Sequence, residues 1–91
     1  MGHPRYDKDQ IVQRGAMLYE NGIRQIVETD ENIGKMISID IETGEYAIGD
    51  TGAQSSSRLR AANPDAALYG ARIGYRTAYA IGGAMSRTSK S

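Results

Sequence analysis

Met36-Ile37-Ser38-Ile39-Asp40-Ile41-Glu42-Thr43-Gly44-Glu45-Tyr46-Ala47-Ile48 is the stretch that decides the fold. Ile37, Ile39 and Ile41 alternate with Ser38 and Asp40, the period-two pattern of a half-buried strand. Glu42-Thr43-Gly44 reads as a tight connection, because Gly44 supplies the positive φ such a turn requires. Tyr46 and Ile48 resume the alternation on a return strand. A β-hairpin over Met36 to Ile48 is the expected centre of the domain.

Upstream of the hairpin, the spacing predicts a helix from about Asp7 to Val27. Val12, Ala16, Tyr19, Ile23 and Ile26 draw one apolar stripe at helical steps. Asp7 and Asp9 sit where the positive end of the helix dipole favours carboxylates. Gly15 and Gly22 each weaken the helix by about 1 kcal/mol relative to alanine, so it depends on packing rather than propensity.

Downstream, Asp50 or Thr51 can cap a short helix that runs to Ala62, with Ala53, Leu59 and Ala62 facing inward. Asn63-Pro64 stops it, since a residue before proline is pushed out of the helical region. Alternation returns from Leu68 to Tyr75: Tyr69, Ala71, Ile73 and Tyr75 share one face, Gly70, Arg72 and Gly74 the other. Arg76 to Ile81 fits either an extension of that strand or a short helical segment. Ser86 to Ser91 has no apolar residue and reads as a disordered tail behind a single domain at residues 1–85. The expected class is α+β, in the order helix-strand-strand-helix-strand. The three strands form an antiparallel sheet in the order 2-1-3, with both helices on one face. The other face, with Ser38, Asp40 and Arg72, would be open to water or a partner.

Composition narrows the function classes. The 91 residues include no cysteine, phenylalanine or tryptophan, so the core draws on aliphatic side chains and six tyrosines. A core this thin in so short a chain favours a partner or a homo-oligomer. Without cysteine there are no disulfides, thiolate metal sites or cysteine nucleophile, and a cytoplasmic location is expected. The amino terminus shows no apolar signal core, and no apolar run suits a membrane span. His3 is the only histidine, so no metal site, histidine base or cofactor is expected. Net charge is zero but unevenly spread. Residues 1–50 hold five basic and ten acidic side chains, and residues 51–91 hold six basic and one acidic. Such polarity can steer an encounter with a partner or a second copy, or let the halves pack and cancel.

Two chemical motifs stand out. Asp50-Thr51-Gly52-Ala53 resembles the active-site tetrapeptide of retroviral-type aspartic proteases. In those enzymes each subunit of a dimer gives one aspartate, and the paired carboxylates share a proton. Gly49 stands where that family prefers an apolar residue, and Ala80-Ile81-Gly82 falls too early for its second signature segment. A hairpin exit followed by a capped helix accounts for the same four residues. The second motif is Arg58, Arg60, Arg72 and Arg76 with Tyr69 and Tyr75, which could pair with phosphates and stack on bases in RNA. The order of an RNA-recognition strand is missing and the net charge is zero rather than basic, so nucleic acid is the less favoured partner.

The hairpin segment Gly34 to Ile48, with Arg58-Leu59-Arg60, Asn63-Pro64-Asp65-Ala66 and Arg72-Ile73-Gly74-Tyr75, resembles a family of small, uncharacterised bacterial proteins. They are common in cyanobacteria and other environmental bacteria. Members are often encoded in two-gene units beside an aspartic-protease-like or toxin-like partner. The family carries no established activity, and an antitoxin-like or accessory partner of a second small protein is the role that fits it. The leading expectation is therefore a non-enzymatic protein–protein interaction module, binding another small protein or itself. Asp40, Arg72, Tyr75 and Arg76 are its expected contact residues. The alternatives are a protease-like dimer using Asp50 and a small RNA-binding domain.

Overall fold

The computed structural model describes residues 6–75 and 78–81. The expected tail at 86–91 lies outside them. The chain opens with α1 (Lys8–Leu18), a π-helical segment (Tyr19–Ile23) and α2 (Arg24–Val27). The hairpin strands β1 (Met36–Asp40) and β2 (Tyr46–Gly49) follow, then α3 (Gly52–Ala62), β3 (Leu68–Arg72) and β4 (Ala78–Ile81). The α+β class holds, and the antiparallel sheet runs β2-β1-β3-β4, so the expected 2-1-3 order gains a fourth strand. That strand answers the question left open at Arg76 to Ile81 for its last four residues: Leu68 pairs with Ile81 and Ala71 with Ala78. Arg76 and Thr77 lie outside the described residues.

The helix begins as its carboxylates suggest. Asp7 is the N-cap: its carboxylate accepts from the Gln10 backbone N–H at 2.9 Å, and the Gln10 side chain accepts from the Asp7 N–H at 3.0 Å. This reciprocal box satisfies two of the donors that every helix start leaves open. The buried stripe differs from the expected one. It is Ile11, Gly15, Tyr19, Ile23 and Val27, while Val12 and Ala16 are only partly buried and Ile26 is 63% exposed. A strict step of four drifts by about 40° per step around an α-helix. The π segment holds an extra residue in its turn and takes up that drift. At its end Gly22 leaves helical backbone (φ 175°, ψ −43°), which kinks the segment toward α2.

The hairpin is as expected, with Ile37 opposite Ile48, Ile39 opposite Tyr46 and Gly44 at φ 80°. Asp40 organises its turn. Its carboxylate accepts from the backbone N–H of Glu42 at 2.9 Å and of Thr43 at 3.4 Å, and its carbonyl accepts from Gly44 N–H at 2.8 Å.

The placement of the helices corrects the expectation of one covered face: they lie on opposite faces. Ile37, Ile39, Tyr69 and Ala71 face the N-terminal helical segment and form the main core with Ile11, Tyr19, Ile23 and Val27. A Cβ on Gly15 would overlap the Tyr69 ring, so this glycine is what lets α1 sit down on the sheet. On the other face Leu59 of α3 packs with Ala66, Leu68 and Ala47. Ser38 meets Ser55 of α3 at 2.7 Å, both fully buried, and the Ser55 hydroxyl donates to the Gly52 carbonyl at 3.1 Å. The inward side of α3 is therefore Ser55 and Leu59, whereas Ala53 and Ala62 are exposed. Thr51, not Asp50, is the N-cap, its hydroxyl accepting from Gln54 N–H at 3.1 Å.

Candidate interaction surface

The Met36 end of the sheet carries the exposed chemistry. Two hydrogen bonds extend the β1–β3 ladder past Met36: Ile73 N–H to Lys35 O at 2.8 Å, and Gly34 N–H to Ile73 O at 2.9 Å. The chain then turns. Gly74 takes φ 84°, a conformation that side chains rarely adopt, and Tyr75 N–H returns to Arg72 O at 3.1 Å. The expected strand through Tyr75 thus ends at Arg72. Tyr75 leaves the core face and is 58% exposed.

This turn orders a cation beside an aromatic ring. The Arg72 guanidinium lies 5.8 Å from the centroid of the Tyr75 ring, within range of a cation–π contact. It also donates to the Gly34 carbonyl at 2.9 Å, which fixes the long side chain at one end. Ile33, 46% exposed, packs so closely on Gly74 that a Cβ there would meet its Cδ1 at 2.7 Å. Arg72, Tyr75 and Ile33 therefore share one surface, and the turn Thr29 to Ile33 borders it. In that turn Thr29 O accepts from the N–H groups of Asn32 and Ile33, each at 3.0 Å.

Beneath this surface a polar network ties the helix to the loop. The Tyr19 hydroxyl donates to Glu28 Oε2 at 2.8 Å. Arg24 bridges Glu28 at 3.2 Å and Glu20 at 2.8 Å. Burial, followed by the bond to Glu28, holds the Tyr19 phenol well above its usual range. The Tyr19 hydrogen bond, with help from Arg24, holds the Glu28 carboxyl below its usual range. The linkage has two signs. The Glu28 contribution is present above its unfolded pKa and lost as pH falls through the depressed folded value. The Tyr19 contribution is present below pH 10, its unfolded value, and lost as pH rises toward the folded one.

The expected contact residues do not all gather here. Arg72 and Tyr75 do, and Arg76 lies outside the described residues. Asp40 is 2% exposed and stands at the other end of β1, roughly 13 Å away along the strand. The face expected to be open at Ser38 and Asp40 is covered by α3, and the Asp40 carboxylate is committed to the hairpin turn. Ile33 is the member that sequence reasoning missed. Its one signal was an isoleucine within an otherwise polar stretch, Glu28 to Asn32 and onward to Gly34.

The residues of the two chemical motifs are also placed. Asp50 is exposed, with its backbone N–H donated to Gln54 Oε1 at 2.9 Å. Gly49 is set by packing, since a Cβ there would meet Gln54 Cβ at 2.8 Å and Ser55 N at 2.9 Å. Of the nucleic-acid candidates, Tyr69 is buried in the core, and Arg58 donates to Ile48 O at 2.6 Å on the β2 edge. Among the described residues no group of three or more acidic or histidine side chains could hold a metal ion, and no helix is long and apolar enough to cross a membrane.

No protein-family model, curated protein or solved structure matches the chain.

Proposed function

We propose that this protein is a non-enzymatic protein–protein interaction module whose contact surface is the Arg72–Tyr75 turn together with Ile33. The observation that carries this reading is the exposed Tyr75 ring with the Arg72 guanidinium held beside it and anchored on Gly34. Tyrosine and arginine are the side chains that most often dominate binding energy at protein interfaces. Ordering them before an encounter lowers the entropy lost on binding. Ile33 adds apolar area next to the pair, as the centre of a contact patch requires.

The test is recovery of the tagged full chain from its host, beside a Tyr75→Ala variant. The expected result is a stoichiometric protein partner, counting a second copy of the chain, held by the native chain and lost by the variant. Equal recovery with Tyr75→Ala contradicts the assignment of the surface. Capture of nucleic acid instead, released steeply as salt rises, would transfer Arg72 and Tyr75 to the RNA-binding alternative.

A further inference from the structure

We infer that the partner at this surface is a second copy of the chain, docked about a two-fold axis; the inference rests on the contact-surface reading above. The patch carries both signs of charge around an apolar centre. Asp30 and Glu31 are exposed in the turn that leads into Ile33, and Arg72 is exposed on the strand that leads into Gly74 and Tyr75. Ile33 packs on Gly74 and Arg72 bonds to Gly34, so the acidic and basic flanks belong to one continuous surface.

In a two-fold interface the same patch faces itself, and residue i of one copy meets residue j of the other. The acidic flank of each copy then lies on Arg72 of its partner, while Ile33 and Tyr75 supply the apolar centre. A partner of one dominant sign would find half of this patch repulsive. A second copy finds both halves complementary. Zero net charge removes the overall repulsion between copies, and a thin core without phenylalanine or tryptophan gains most from a shared apolar contact. Of the two sheet edges, the one at β2 is partly occupied, because Arg58 already donates to Ile48 O at 2.6 Å.

Sedimentation equilibrium on the full chain at rising concentration tests this. The native chain is expected to reach twice the monomer mass. Arg72→Glu, and separately Asp30→Lys with Glu31→Lys, should each weaken self-association by about tenfold or more, the scale of losing one strong interfacial contact. Mixing the two variants should restore association as a mixed dimer in native mass spectrometry. At positions 30, 31 and 72 one copy then presents only acids and the other only bases, and the restored dimer also shows that both variants fold. A native chain that stays monomeric at the highest concentration overturns the inference, as do variants that dimerise like the native chain. A monomer that still captures another protein through Tyr75 overturns the two-fold docking alone; loss of both overturns the contact surface as well.

Discussion

On one face of β1, Ile37 and Ile39 meet the side chains of a long helical segment; on the other, one residue away, Ser38 meets Ser55. The first face is filled by bulky aliphatics and the Tyr69 ring, and its helix can approach only because Gly15 has no side chain. The second face sets the small residues Ser38, Ala47, Gly49 and Gly70 beside Leu68, and Gln54 and Ser55 of its helix close on Gly49. A large buried area holds the first helix, whereas the second combines a smaller apolar contact, Leu59 on Leu68, Ala66 and Ala47, with one buried hydroxyl pair. The difference teaches that a serine at a period-two position marks a covered face as readily as an open one, provided its partner is also a hydroxyl.

Adding a methyl on the bulky face should have the largest effect. Gly15→Ala improves helix propensity by about 1 kcal/mol. It also drives a Cβ into the root of the Tyr69 ring, which cannot swing away as the tip of a flexible side chain could. Overpacking typically costs about 1–3 kcal/mol, and a Cβ overlapping Tyr69 Cγ puts this site above the top of that range, well beyond the propensity gain. Urea unfolding should show a net loss of stability.

On the small-residue face the two serines should differ. Ser55→Ala leaves the Ser38 hydroxyl buried without its partner, a loss of about 1–3 kcal/mol. Ser38→Ala leaves Ser55 still bonded to Gly52 O and should cost only about 1 kcal/mol. The double variant should be no less stable than Ser55→Ala alone, because its orphaned group is gone. Equal losses in the two single variants would show that the face is held by packing and not by the hydroxyl pair.

These differences mark what could be read in the sequence. The hairpin was legible because alternation, a glycine turn and β-branched residues all agree there. The face of α3 was not, because Ser38 and Asp40 resemble solvated positions until Ser55 and the turn amides are brought to them. The stripe on the first helix was read one residue off at most positions. Gly15 looked like a weak point, yet it is a contact, and a π segment carries the phase. β4 was not legible because four residues, Ala78 to Ile81, are too few to show a period. At the surface, Arg72 and Tyr75 were legible as chemistry. Their pairing was not, since it depends on Gly74 ending the strand and turning Tyr75 out.

The contact surface is tested most directly by amide chemical shifts of the full chain recorded over a dilution series. The account predicts concentration-dependent shifts confined to the Asp30–Lys35 loop and the Arg72–Tyr75 turn, with α3 and the hairpin turn at Asp40 unmoved. Spectra that do not change with concentration, or shifts centred on α3 or the β2 edge, would contradict it.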